Sequence, residues 1–299
     1  MKKTVELPGG GRASYQVIGR GRPALMFPGG PGFAADYMVP DAEMFSDLLK
    51  SYLIDPHGSG GSSPPRDPVE YTPEGHAAFY EQVRRALGLD KVVVLGHAFG
   101  AITGLAYCAL FPEAVSHLVC VAGSAVSGEA SDPESEKRLQ QEWEAALARH
   151  SGAEWYEGAR SILDTWTERV LATGDPAEVE RMMTAVLPLY TAHPEKTEVA
   201  AALASMGRYL TADLACMKAW ESGIYQRFDL RPLMERIQCP ALVVAGELDF
   251  ICGPLHAKTI EENLRDSTTV VIPDCGHMPV CEAPAIYRQA VENFLRDGS

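Results

Sequence analysis

Residues 92–100 read Val92-Val93-Val94-Leu95-Gly96-His97-Ala98-Phe99-Gly100, and a stretch of small and apolar residues runs on to Leu110. The apolar, β-branched run Val92–Leu95 reads as a buried strand, and Ala101 to Leu110 as a helix. Only a Gly-x-Ala-x-Gly pentapeptide separates them. The chain must therefore turn sharply from strand to helix. Small residues two before and two after Ala98 let the two elements pack closely. Such a junction commits the chain to an α/β arrangement.

The same rhythm extends on both sides. Thr4–Leu7 and Ala13–Ile18 alternate as an antiparallel pair joined through Gly9-Gly10-Gly11. Ala24–Phe27 is a short buried strand that ends in Pro28-Gly29-Gly30-Pro31-Gly32, and Tyr52–Asp55 is another. Pro73–Leu87 has helical periodicity, with Thr72 as N-cap and Gly88 as the stop. His117–Val121 is a further strand. From Ser127 to Phe228 the strand pattern ceases, and the spacing predicts helices over Glu134–Arg149, Ala153–Ala172, Ala177–Leu187, Thr197–Leu210 and Ala212–Ser222. The α/β pattern resumes with Ala241–Ala245, a helix near Leu255–Leu264, the strand Thr268–Ile272 and a closing helix Ala283–Leu295. The expected organisation is a mostly parallel sheet with helices on both faces (1–126 and 229–299), interrupted by an all-helical cap (127–228).

Composition narrows the function. The 299 residues carry a net charge of −14, with no basic stripe to neutralise phosphates, so neither nucleic acid nor an anionic membrane is an expected partner. The seven cysteines are scattered, without a CxxC pair, which fits free thiols in a reducing cytoplasm. The start of the chain lacks the apolar stretch of a secretory signal, and no apolar run has transmembrane length. No metal-ligand spacing and no cofactor motif stand out, and the oligomeric state is left open.

Chemistry collects at strand ends. The turn at Ala98 has the shape of a nucleophile elbow, which normally carries serine at its centre. After Ala241–Ala245 comes Gly246-Glu247-Leu248-Asp249, and after Thr268–Ile272 comes Pro273-Asp274-Cys275-Gly276-His277. The order nucleophile position, acid, base places Asp249 to orient the imidazole and His277 to move the proton. The segment Ala122-Gly123-Ser124-Ala125, where a competing acid can sit, has no carboxylate. Main-chain N–H groups of Phe99 and of Gly30 or Gly29 are candidates for an oxyanion hole, since Pro28 and Pro31 cannot donate. Gly29 also lets backbone approach a small-molecule substrate. His97, His57, Asp55, Ser124, Cys252 and Cys281 read as structural. The aromatics Trp155, Tyr156, Trp166, Tyr190, Tyr209, Trp220 and Tyr225 read mainly as core, with a few lining a pocket.

Over its whole length the chain resembles the α/β-hydrolases. Gly29-Gly30-Pro31-Gly32, Asp55-Pro56-His57-Gly58-Ser59-Gly60-Gly61-Ser62, Gly246-Glu247-Leu248-Asp249 and Gly276-His277-Met278-Pro279 are similar to proline iminopeptidase-like enzymes. His57 stands where arginine is usual, Pro28 where many members have histidine, and Gly-His-Ala-Phe-Gly where those peptidases have Gly-Gly-Ser-Trp-Gly. The resemblance implies acyl-enzyme hydrolysis of a small amide or ester without cofactor, with lactonase or carboxylesterase as the alternative. It also implies cap carboxylates that hold a substrate ammonium, for which Asp213 and Glu221 are candidates. Ala98 then has three readings: an engineered Ser→Ala change, a natural non-catalytic binding protein, or chemistry in which His277 acts as base without a nucleophile. Retention of both Asp249 and His277 favours the first.

Overall fold

The alternating apolar runs form the strands β1 (Lys3–Glu6), β2 (Arg12–Gly19), β3 (Arg22–Phe27), β4 (Leu49–Ile54), β5 (Val92–His97), β6 (Val115–Val121), β7 (Ala241–Gly246) and β8 (Ser267–Ile272). The structure, a computed structural model, describes residues 1–8, 10–127, 133–224 and 228–297; Gly9 of the predicted turn and Tyr225 lie outside them. The strands join in one sheet of order β1-β2-β4-β3-β5-β6-β7-β8. β1 and β2 pair antiparallel, as expected, and β2 is antiparallel to β4. From β4 to β8 all neighbours are parallel.

Side chains on the central strands alternate between two apolar layers. Val93 and Leu95 pack on one face with Met26, Val119 and Val244, while Val92 and Val94 pack on the other with Phe27, Leu118 and Val243. Each of these side chains is buried, worth about 1.5–3 kcal/mol apiece. Helices α1 (Val39–Met44), α2 (Pro73–Ala86) and α3 (Phe99–Leu110) connect the first strands. Thr72 caps α2 by accepting from Gly75 N at 3.0 Å.

Between β6 and β7 lie the helices α4 (Pro133–Ala148), α5 (Tyr156–Asp164), α6 (Trp166–Ala172), α7 (Pro176–Val186), α8 (Thr197–Met206), α9 (Leu214–Ala219) and the short α10 (Arg231–Met234). The helix expected over Ala153–Ala172 is two helices. Thr165 leaves helical geometry (φ −110°, ψ 14°), and its hydroxyl donates back to Ser161 O at 2.7 Å. The helix expected over Ala212–Ser222 likewise ends at Ala219 and widens into a π-type turn over Trp220–Ile224. Helices α11 (Pro254–Asn263), α12 (Pro279–Glu282) and α13 (Pro284–Asp297) complete the second half. Neither α1 nor α12 was expected from the periodicity; both are too short to show one.

The strand order reverses between β3 and β5, because the chain runs from β3 to β4 on one side and returns to β5 on the other. At such a switch point the loops leaving the two strands diverge and open a crevice. Here those loops are Pro28–Gly32 and the turn at Ala98.

Candidate active site

The turn at Ala98 is sharp in fact. Ala98 has φ 51° and ψ −116°, a conformation that costs an L-residue about 1–3 kcal/mol. Its N–H is anchored to Val121 O at 2.9 Å. The flanking glycines are dictated by contact. A Cβ on Gly96 would lie 2.3 Å from Gly100 O, and one on Gly100 would lie 1.9 Å from Phe27 O. Strand β5, helix α3 and the end of β3 touch backbone to backbone there. Phe99 opens α3, where first-turn N–H groups have no intrahelical acceptor.

Asp249 and His277 come together from the loops after β7 and β8. His277 Nδ1 donates to Asp249 Oδ2 at 2.9 Å, and both side chains are buried. Asp249 Oδ1 accepts from Ile251 N at 2.8 Å and Cys252 N at 3.1 Å. Burial pushes the Asp249 carboxyl upward, but His277 and these N–H groups outweigh it and hold the pKa below the ordinary value. With Nδ1 tied to a carboxylate, Nε2 is the nitrogen free to exchange a proton.

The His277 backbone is held as firmly. Its N–H donates to Tyr190 O at 2.8 Å, and its carbonyl accepts from His97 Nε2 at 2.8 Å. His97 Nδ1 in turn accepts from the Tyr37 hydroxyl at 2.9 Å. Burial, reinforced by His277, pushes the His97 pKa down to about 3, so this ring is a neutral strut. That agrees with its reading as structural.

One cavity of about 340 Å³ brings Ala98, His277, Gly29, Gly30 and Phe99 to a common space. Most of the remaining wall is apolar, including Phe33, Ile102, Trp166, Leu187, Met217 and Trp220. Of the two candidate carboxylates, only Glu221 lines it. Glu221 accepts from Trp166 Nε1 at 3.0 Å and from Thr167 Oγ1 at 2.6 Å. Asp213 instead caps α9, accepting from Ala215 N and Cys216 N. Trp166, Tyr190 and Trp220 face the cavity; Trp155 and Tyr156 do not, and pack with Trp143 and Phe250 in an apolar cluster that Trp166 and Tyr190 join from the cavity side.

Of the other residues read as structural, all but Cys252 lie outside the cavity. Asp55 accepts from Ala35 N, Gly61 N and Lys2 Nζ, and His57 stacks on Phe79 at 4.6 Å. Ser124 donates to Val126 O at 2.6 Å. Cys281 packs against Met206, whereas Cys252 reaches the cavity wall, where burial pushes its thiol well above the ordinary range. The seven cysteines are unpaired and buried. Among the described residues there is no cluster with metal-ligating geometry and no helix long and apolar enough to cross a membrane. Sequence reading missed Tyr37 and Glu282. Glu282 had one signal, a carboxylate five residues past His277 in a Pro-flanked turn.

The arrangement supplies a buried, oriented imidazole, first-turn N–H groups and a largely apolar cavity, which Ala98 also lines. Known proteins share its frame. The chain is 24% identical over 291 residues to a proline iminopeptidase of Saccharolobus solfataricus, covering 94% of this chain and 87% of that protein. A proline iminopeptidase of Lactobacillus delbrueckii subsp. bulgaricus is 26% identical over 303 residues, covering 97% and 96%. An enol-lactonase from Burkholderia xenovorans LB400 has the same fold, with a TM-score of 0.69 at 18% identity, covering 98% of this chain and 100% of that one. A family model for the alpha/beta hydrolase fold matches residues 23–284. That span takes in the sheet from β3 to β8 and the inserted helices together, and on it the chain belongs to the α/β hydrolase fold family.

Proposed function

We propose that this site is built to hydrolyse a small amide or ester through an acyl-enzyme, in the manner of a proline iminopeptidase, and that Ala98 occupies the nucleophile position. The observation that carries the reading is the Asp249–His277 pair at 2.9 Å, opening onto the same cavity as Ala98. With serine at position 98, His277 Nε2 takes the hydroxyl proton as the oxygen adds to the substrate carbonyl. The N–H groups of Phe99 and Gly30 receive the oxyanion. Collapse passes the proton to the leaving group, and water repeats the sequence to release the acid. With a methyl there, no covalent bond forms. Turnover falls by about 10⁶-fold on the precedent of triad serine removal, while binding remains. The helices between β6 and β7 act as a cap that closes the cavity, and the substrate is a small molecule.

Glu221 is the only carboxylate lining the cavity among the described residues, and it is held rigidly by Trp166 and Thr167. It supports a substrate with a free ammonium group. The apolar remainder of the wall supports the second reading, a lactonase or carboxylesterase acting on a neutral compound. An Ala98→Ser chain assayed on prolyl-anilides, lactones and p-nitrophenyl esters separates the two. The peptidase reading expects Glu221→Gln to raise KM for amine-bearing substrates by about 10-fold or more, the worth of a charge-assisted hydrogen bond, with little change in kcat. Equal loss on amine-free lactones, or preference for them, supports the second reading.

A further inference from the structure

Glu282 stands outside the cavity, on the four-residue helix α12, and its carboxylate does three things at once. Oε2 accepts from Gly276 N at 2.9 Å and from Ala192 N at 2.7 Å, and Oε1 accepts from Met278 N at 3.0 Å. Gly276 and Met278 are the two neighbours of His277. Ala192 lies in the helical insert, two residues past Tyr190, whose carbonyl receives the His277 N–H. One side chain therefore ties both flanks of His277 to the segment of the insert that walls the cavity.

We infer that Glu282 is a positioning residue that locks the His277 loop to the helical insert, so that placement of the insert and register of the imidazole move together. The inference rests on the reading of His277 as the proton-transfer group. Chemistry explains the choice of residue. Three N–H donors converge on one point, and only a carboxylate offers acceptor sites for all three without a competing donor. Bonds of N–H to an ionised acceptor are about twice as strong as neutral ones. Burial pushes the Glu282 pKa above the ordinary carboxyl value, and the three N–H groups pull it back. The Pro279 start and the tight α12 turn fold the side chain back over the loop it holds. A glutamine of the same size would present an amide N–H₂ to N–H groups and must give up at least one bond.

Two measurements test this, the first on the chain as it stands. Amide hydrogen exchange is expected to protect Ala192, Gly276 and Met278 to a similar degree. In Glu282→Gln all three are expected to exchange about 10-fold faster or more, with core strand amides such as Val94 unchanged. In the Ala98→Ser background, Glu282→Gln is expected to lower kcat by about 10- to 100-fold, the cost of a misplaced proton-transfer group, with KM shifted far less. Ala192 exchanging independently of Gly276 and Met278 in the unsubstituted chain would overturn the inference, whether or not the variant folds. So would a folded Glu282→Gln chain that melts earlier but keeps both kcat and the protection of these amides. Absence of turnover in Ala98→Ser with Glu282 intact would instead count against the hydrolase reading, and the exchange result would still stand alone.

Discussion

Asp249 Oδ2 lies 2.9 Å from His277 Nδ1, while its other oxygen is occupied by two backbone N–H groups. All three partners are N–H donors, so a side chain that must itself donate does not match them. An Asp249→Asn change must point its N–H₂ at Ile251 and Cys252 or at His277. Either choice breaks a bond or forces the imidazole into the wrong tautomer. In an Ala98→Ser background this change is expected to cut kcat by about 10⁴-fold, the scale of tautomer loss in known serine-hydrolase triads. Steady-state kinetics on any substrate the serine form accepts checks it. A loss under about 10-fold would remove Asp249 from the account.

A second pair ties the insert to the His277 loop from outside. His193 Nε2 lies 2.6 Å from Asp274 Oδ1, three residues before His277. The hydrogen bond to Asp274 raises the His193 pKa above 6.5, and the same bond lowers Asp274 below 3.8. A raised histidine contributes fully below its unfolded value and loses that contribution as pH climbs through the folded one. A lowered aspartate contributes above its unfolded value and loses it as pH falls through the folded one. The tether is thus strongest between about pH 4 and pH 6.5. Comparing melting temperatures of the chain and His193→Ala, the difference is expected to be largest near pH 6 and to shrink by pH 9 and in high salt, because the pair is exposed. A difference that grows towards pH 9 would contradict the assignment.

Two buried histidines act in the opposite direction. Burial, with His277 beside one and His57 beside the other, pushes both His97 and His76 down to about 3. Their folded values lie below the unfolded value of 6.5, so the neutral rings stabilise fully above about pH 6.5 and lose this as pH falls towards 3. Unfolding near pH 5 should take up about two protons on their account, a slope of roughly 3 kcal/mol per pH unit. His76→Leu is expected to reduce that uptake by about one proton in denaturant titrations run from pH 7 to pH 5. An unchanged slope would mean that His76 is protonated in the folded chain.

The parts of the candidate site that sit at strand ends owe their placement to patterns visible in the sequence. Ala98, Asp249, His277, Gly30 and Phe99 each follow an apolar run that ends in glycine-rich turn chemistry, and a parallel sheet delivers such loops to one edge. What could not be read depends on packing between helices. The break at Thr165 comes from a side chain bonding its own backbone. Likewise, the widened turn at Trp220–Ile224 that carries Glu221 to the cavity interrupts a stretch with unbroken helical periodicity. Asp213 and Glu221 look alike in sequence, and only the end of α9 shows that one caps a helix while the other meets the cavity. For Glu282 the sequence shows only its nearness to His277; the bond to Ala192, 90 residues away, comes from packing that no local pattern shows.

The most direct test of the central claim, that position 98 is the nucleophile position of an otherwise assembled site, is labelling by a fluorophosphonate probe before and after Ala98→Ser. The chain as it stands is expected to take no label, and the serine form to take one probe per chain, located by mass spectrometry at position 98. That label is expected to be lost when His277→Ala is added. An Ala98→Ser chain that folds and yet neither labels at position 98 nor turns over any ester, lactone or anilide would contradict the claim.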